Sequence, residues 1–302
     1  MPTINGLDVK RELAEKHPKS INGVVAVLSG FARSCLSLER HGGQFSLCLD
    51  CQTEFVRDYI AGLMTEAFGV TTVANDKGAL VYSDCDRLLG ELKITDDNGE
   101  FTDGIPEAFS RSSHYARGVF LGCGSMSAPQ ADGARAKKSV GYHLEFSFNS
   151  ESLAEGFIAL LDSYGISAHR STRAEKNVIY VKGSESVSDC LALVGADKAV
   201  LRLNEAVAAF AVKRDVMRKV NCDVANANRT ADAAAKLVQA IELIDKKRGL
   251  STLDKKLCEA AKARIDDKDA PLSEIAEMLN ISKSGLKHRF DRIIEIAHSI
   301  EE

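Results

Sequence analysis

The sequence predicts an α+β protein: a pseudo-twofold, two-copy α+β domain followed by an all-α domain that ends in a helix-turn-helix. Three observations predict it. A ten-residue segment, "LSGFARSCLS" at 28–37, returns as "ARGVFLGCGS" at 116–125, matching at Gly30/Gly118, Cys35/Cys123 and Ser37/Ser125 with an offset of 88. The segments after each copy agree in kind and in order, which is the mark of an internal repeat. The C-terminal third is rich in alanine and poor in helix breakers, and it closes on a short apolar-faced helix, an asparagine and a basic helix. The expected boundaries are 1–212 for the two-copy domain, with copies at about 20–95 and 108–200. Residues 213–302 hold a helical linker and the helix-turn-helix, the latter at about 271–297.

Each unit opens with a helix that carries a glycine, Gly30 or Gly118. A missing side chain lets two helix backbones approach closely, so these helices are the natural interface between the copies. A first strand leads to "GQFSLCLDC" (43–51) in one copy and "GYHLEFSFN" (141–149) in the other, both alternating as half-buried strands do. "TEFVRDYIAGLMTEAFGV" (53–70) and "ESLAEGFIALLDSYGI" (151–166) read as amphipathic helices ending at Gly69 and Gly165. Their offset is 96, so the second copy has gained eight residues. These are assigned to "SAPQADGARAKKS" (127–139), a hairpin tip that adds Arg135, Lys137 and Lys138. A strand ("GALVYS", 78–83; "NVIYVKG", 177–183) and a short helix ("DCDRLLGEL"; "VSDCLALVG") complete each unit.

Residues 205–248 read as long helices bridging to a small domain. Inside them "VNCDVANANRT" (220–230) is polar, with three Asn. It suits either a solvated turn or a phosphate-touching, interdomain joint, and the sequence leaves both open. "APLSEIAEMLNISKSGLKHRFDRIIEIA" (270–297) fits a helix-turn-helix. Leu272, Ile275, Ala276 and Leu279 line one face of its first helix, and Ala276 is small where two helices cross. Asn280 suits a left-handed turn residue, Ile281 an apolar plug, and Ser282 the N-cap of the next helix. Leu286, Phe290, Ile293 and Ala297 form the buried face of that helix.

The other positions near its start are polar or basic. A recognition helix puts its N-terminal residues on base edges in the major groove. Ser284, Lys287 and His288 point that way, and Ser282, at the cap, is expected with them among the DNA-binding residues. Lys283, Arg289 and Arg292 flank them and suit phosphates, which set affinity more than specificity. Gly285 is explained either by close backbone approach to DNA or by plain tolerance. A helical hairpin that merely packs on the rest is the competing reading of the whole segment.

Formal net charge is −4, with no overall basic character. The charge is uneven: residues 213–302 hold 18 Lys and Arg against 16 Asp and Glu, which leaves 1–212 at −6. No apolar run reaches the ~18 residues of a membrane span, and "MPTINGLDVKRELAEKHPKS" lacks the apolar core of a signal peptide. The expected compartment is the cytoplasm, with no membrane partner. The eight cysteines are scattered, and Cys48-x-x-Cys51 is the only CxxC. Without a second pair it reads as small side chains in a strand, with a metal or redox role as the alternative.

The repeat resembles the LAGLIDADG homing endonucleases, and the C-terminal hairpin resembles the DNA-binding region 4 of bacterial sigma factors. "RGVFLGCGSMS", "GYHLEF", "VNCDVANANRT" and "ISKSGLKHR" occur in the order of the signature segments of the WhiA family of bacterial regulators, which joins these two parts. The resemblance covers nearly the whole chain. It implies a degenerate LAGLIDADG-like domain followed by a helix-turn-helix domain. It also implies a sequence-specific regulator of double-stranded DNA in the nucleoid, linked to sporulation, cell division or both. Laid over each copy, the metal-binding Asp of the nuclease motif falls on Cys35 and on Cys123, and the sixth letter on Arg33 and Leu121. Magnesium prefers oxygen to sulfur, so the hydrolytic centre is expected to be missing. No catalytic residue, metal or cofactor is expected. The two cysteines are either small buried side chains or a soft-metal or oxidation site. Two other functions compete: a nuclease using Asp50 or Glu145, and a nucleoid-associated or protein-interaction scaffold that binds DNA weakly or with a co-regulator.

Overall fold

A computed structural model describes residues 4–41, 44–128, 141–173 and 176–301. They form two compact units, Met1–Phe210 and Ala211–Glu302. In the first unit a leading helix α1 (Gly6–Ala14) precedes two copies of one motif. Copy one runs α2 (Ile21–Cys35), β1 (Leu36–His41), β2 (Gln44–Leu49), α3 (Glu54–Phe68), β3 (Val73–Ala74), β4 (Leu80–Tyr82) and α4 (Cys85–Glu91). Copy two runs α5 (Ser113–Cys123), β5 (Gly124–Ser127), β6 (His143–Phe148), α6 (Glu151–Asp162), β7 (His169–Arg173), β8 (Lys176–Lys182) and α7 (Ser184–Val194). The two antiparallel sheets have the same topology, β1-β2-β4-β3 and β5-β6-β8-β7.

The copies meet through α2 and α5, and the meeting is symmetric at the level of single atoms. A methyl group built on Gly30 would land on the Tyr115 carbonyl oxygen and lie 3.2 Å from the Val119 nitrogen. One built on Gly118 would land on the Val27 carbonyl oxygen and lie 2.8 Å from the Phe31 nitrogen. Tyr115 and Val119 stand in copy two where Val27 and Phe31 stand in copy one. Both helices also end alike: Leu36 (φ −72°, ψ 146°) and Gly124 (φ −72°, ψ 141°) turn the chain straight into a strand.

Strand register corrects the length of the insertion. Leu36 pairs with Leu49 and Gly124 pairs with Phe146, so the second strands are offset by 97, not 96. The second copy is therefore nine residues longer at this point. Most of the segment assigned to the hairpin tip, with Arg135, Lys137 and Lys138, lies outside the described residues. Helix α3 ends on Gly69 at φ 65° as expected. Helix α6 stops at Asp162, and Gly165 (φ 75°) belongs to the turn beyond it.

Helix α1 was not foreseen in the sequence. Asn5 caps it by accepting from the Asp8 amide at 2.9 Å. Its Glu12, 6% exposed, accepts from the amides of Lys198 and Ala199 at 2.8 and 2.9 Å. Those amides open α8 (Asp197–Arg248), so a carboxylate from one helix caps the N-terminus of another, where the helix dipole favours negative charge.

Helix α8 is continuous through "VNCDVANANRT", so no turn breaks this segment. It contains no Gly or Pro, and its polar groups bond along the helix: Thr230 Oγ1 donates to the Asn226 carbonyl at 2.9 Å. The second unit adds α9 (Lys255–Asp266), α10 (Leu272–Met278) and α11 (Lys283–Glu301) around a core of Ile241, Ile244, Ala260, Ile275, Leu286, Phe290 and Ile293. Arg264, 3% exposed, donates to the carbonyls of Ala270 (2.7 Å) and Lys268 (3.2 Å) and lies 5.5 Å from the Phe290 ring centroid. It ties the α9–α10 loop to the underside of α11.

The helix pair makes two glycines behave oppositely. Gly62, in mid-α3, has nothing within 4 Å of an added methyl. Gly62→Ala is expected to stabilise the chain by about 0.5–1 kcal/mol through helix propensity. Gly118→Ala is expected to destabilise it by at least the ~1–3 kcal/mol typical of overpacking, because the obstacle is backbone. Urea unfolding followed by circular dichroism separates them; equal effects would mean that the backbones are not in contact.

Candidate nucleic-acid interface

The turn between α10 and α11 is built as its residues require. Asn280 sits at φ 52°, and Ser282 Oγ accepts from the Gly285 amide at 3.1 Å, capping α11. Its hydroxyl is thereby committed, so Ser282 positions the helix. Leu286, Phe290, Ile293 and Ala297 are buried, which rotates the remaining residues outward. Ser284 and Lys287 fall on one exposed strip at helical spacing, joined by Asp291, a carboxylate that the sequence reading passed over. Lys283, Lys287 and His288 are exposed and form no ion pair among the described residues.

Two of the expected phosphate ligands, Arg289 and Arg292, separate from that strip, while Lys283 does not line the same cavity. With His288, expected on base edges, they line a cleft of about 700 Å³ against the end of α8 and the start of α9. Arg289 donates to the Lys256 carbonyl at 3.3 Å, and Arg292 pairs with Glu295 at 2.6 Å. The cleft also takes Arg248 and Lys256, with Leu253, Leu257 and Ile296 beneath. Sequence reasoning missed both cations because they lie outside the helix-turn-helix pattern. The basic runs "DKKR" and "DKK" were the available signal.

In the first unit, Cys35 and Cys123 are the last residues of α2 and α5, at the positions where the nuclease resemblance implies ligands for a divalent cation. The residues present do not fit one. Burial pushes the Cys35 thiol well above its ordinary value and the Cys123 thiol up to about 11, so both stay protonated. Lys10 of α1, 2% exposed, brings an ammonium to the same place, with Nζ donating to Gln52 Oε1 at 2.7 Å. Burial pulls its value down, and the thiols of Cys123 and Cys35 act electrostatically in the opposite direction.

Asp50 lies beside Cys35, its amide donating to the Cys35 carbonyl at 3.3 Å. Strand register puts Ser147 at the matching place in copy two, so no second carboxylate faces it. Glu145 is engaged on the sheet surface by Arg173 (3.5 Å) and His143 (3.7 Å). Among the described residues no cluster of three His, Cys, Asp or Glu is placed to hold a metal. Cys48 is buried in β2 and Cys51 is half-buried just after it, and both are free thiols. The exposed face of the second sheet gathers His143, Arg173 and Lys182 around a shallow cavity of about 410 Å³. Ser46 stands in the first sheet where His143 stands in the second.

Comparison with known proteins gives a consistent result. A family model described as the WhiA C-terminal HTH domain matches residues 216–297, and one described as the WhiA LAGLIDADG-like domain matches residues 112–215. A probable cell division protein WhiA from Lactobacillus johnsonii is 32% identical over 316 residues, covering 98% of this chain and 97% of that protein. A protein of the same name from Staphylococcus aureus is 36% identical over 220 residues, covering 70% of this chain and 67% of that one. The crystal structure of full-length WhiA from Thermotoga maritima shares the fold, with a TM-score of 0.55 at 24% identity over 99% of each chain.

The state of the central thiols can be read directly. With Cys123 at about 11 against 9.0 for a free thiol, its thiolate population at pH 8 is about 100-fold lower than that of an ordinary cysteine. Alkylation of the folded chain at pH 8 is expected to label exposed Cys222 first and Cys123 only on unfolding. A raised thiol value also means stability that is complete below pH 9 and lost as pH rises toward 11, because the unfolded chain releases the proton first. Urea midpoints at pH 7.5 and pH 10 should therefore fall less in Cys123→Ala than in the wild type. Labelling of Cys123 as fast as Cys222 would contradict a protonated, half-buried pair.

Proposed function

The chain belongs to the WhiA family, and on that premise we propose that it is a sequence-specific, DNA-binding transcriptional regulator without nuclease activity. One observation carries the reading: the exposed side of α11 presents Lys283, Ser284, Lys287 and His288 with no internal ion pair among the described residues. Ser284, Lys287 and His288 meet base edges in the major groove of double-stranded DNA. Lys283, Arg289 and Arg292 meet phosphates, and Ser282 holds the helix start in place. Two protonated thiols and a buried ammonium, where the nuclease resemblance implies carboxylates, support the absence of nuclease activity.

Labour is divided at the boundary the sequence suggests, with 1–212 as the degenerate LAGLIDADG-like domain and 213–302 as the DNA-reading part. The name borne by the relatives supports a role in cell division, and sporulation comes from the family resemblance alone. Among the described residues no helix is long and apolar enough to cross a membrane, and the proposed location is the nucleoid.

A second reading, a nucleoid-associated or protein-interaction scaffold that needs a partner, is favoured by one feature of α8. Val212, Val216, Val220 and Val224 recur every four residues and are 65%, 54%, 47% and 52% exposed. Such a strip suits a protein co-regulator.

Fluorescence anisotropy of the full-length chain decides between them, on a duplex from upstream of its own gene and on a scrambled duplex at near-physiological salt. Preference for the native duplex is expected; equal affinity would favour the scaffold. Lys287→Ala or His288→Ala should remove about 1–3 kcal/mol of discrimination, while Arg292→Ala weakens both duplexes alike. Intact discrimination in Lys287→Ala would show that this face does not read bases.

A further inference from the structure

The cleft beside α11 contains more positive charge than the reading of bases requires. Resting on the proposal that α11 enters DNA, we infer that this cleft is a second, sequence-independent site that holds the sugar-phosphate backbone flanking the major groove, with Arg248 and Lys256 as its anion ligands. Five cationic or titratable side chains line it (Arg248, Lys256, His288, Arg289 and Arg292) against one carboxylate, Asp254.

The five are not equivalent. Arg292 is paired with Glu295 and Arg289 is turned onto the Lys256 carbonyl. Arg248 and Lys256 are exposed and pair with no carboxylate among the described residues. Asp254 uses its side chain to cap α9, accepting from the Lys256 amide at 3.4 Å, which leaves the Lys256 ammonium free. The ligands come from two other elements, the last residue of α8 and the first turn of α9, and both face α11 across the cleft.

Gly285 fits the same picture. It lines the cleft, and an added methyl would meet only the Ser282 hydroxyl, at 3.1 Å. No neighbouring helix requires the missing side chain, so this side of α11 offers bare backbone to a strand lying along it. His288 borders both the cleft and the exposed face, making the two surfaces continuous. A duplex seated on α11 therefore brings one backbone toward Arg248 and Lys256. An acidic segment of a partner protein is the other occupant that this charge would suit, but only DNA is continuous with the α11 surface.

The test uses the full-length chain and a scrambled 30-base-pair duplex, because backbone contacts need no particular sequence. Binding is followed by anisotropy from 50 to 200 mM salt for the wild type, for Arg248→Ala/Lys256→Ala, and for Lys246→Ala/Lys247→Ala, which removes equal charge from residues outside the cleft lining. Each phosphate contact contributes about 0.9 to the slope of log affinity against log salt, so losing two lowers it by about 1.8. Over this range the wild type should lose about 12-fold more affinity than the cleft variant. The Lys246/Lys247 variant should follow the wild type.

On the native duplex the cleft variant should keep its discrimination. A slope unchanged in the cleft variant, or lowered equally in the control, overturns the backbone site and moves the cleft to an acidic protein partner. If the wild type shows no sequence preference but the cleft variant still lowers the slope, the base-reading proposal fails and the backbone site stands. If the wild type binds neither duplex at 50 mM salt, both fail. Wild-type circular dichroism is expected of the cleft variant, since both side chains are exposed.

Discussion

The first unit depends on a contact between two backbones. Gly30 lies on the Tyr115 carbonyl and Gly118 on the Val27 carbonyl, leaving no room for a side chain on either helix at the crossing. That closeness fixes where α2 and α5 end, and hence where β1 and β5 begin, so the two sheets inherit their symmetry from it. Ser34 and Gly122 continue the seam, a methyl on Gly122 landing on the Ser34 hydroxyl. The residues that set this approach lie about one turn and a half before the helix ends. Cys35 and Cys123, at the ends, set nothing about it. Packing and chemistry therefore reside at different positions of the same short motif, which lets the chemistry change while the packing is retained.

What replaced the chemistry is electrostatically coherent. Two helices ending side by side direct the partial negative charge of their last carbonyls at one point. The resemblance to LAGLIDADG nucleases implies carboxylates and a divalent cation at that point. In this chain thiols held neutral by desolvation stand there, and the charge is met by the Lys10 ammonium. Lysine is costly to bury, and Gln52 supplies its hydrogen bond. Helix α1 is held in turn by Glu12 on the α8 amides, so the element that delivers the cation is also the one that caps the longest helix.

Much of this architecture was legible because it rests on residue types that few others can replace. A close helix pair needs glycine, and a left-handed turn accepts Asn280, so both announce themselves in the sequence. Strand alternation and the buried face of α11 were legible for the same reason: period and polarity are local. Helix α1 was not. It is nine residues long, and its key side chain is a lysine, a type that nothing local marks as buried. Through 220–230 three asparagines suggest a turn as one of two readings, whereas the segment is helical, with Asn226 donating to Cys222 Sγ at 3.6 Å and Thr230 to the Asn226 carbonyl. The insertion was one residue short because register depends on pairing across strands. Arg248 and Lys256 escaped notice because the cleft assembles from three elements separated along the chain.

Net charge was a weak guide to the interface for a related reason. Residues 213–302 carry only +2, which would argue for feeble attraction to DNA if charge were spread evenly. It is not. Acids such as Glu295, Glu242 and Asp215 lie in ion pairs with Arg292, Lys268 and Arg218. These pairs add little at a distance, since each largely cancels itself over a Debye length. Among the described residues, Lys283 and Lys287 on α11 and Arg248 and Lys256 in its cleft are cations left without an ion pair. Counterion release depends on how many phosphates meet such cations, not on the sum over the domain. A near-neutral domain can thus present a concentrated positive surface on one side of one helix. On the proposed reading, the acids elsewhere limit non-specific attraction and leave the strip of Ser284, Lys287 and His288 to distinguish one sequence from another.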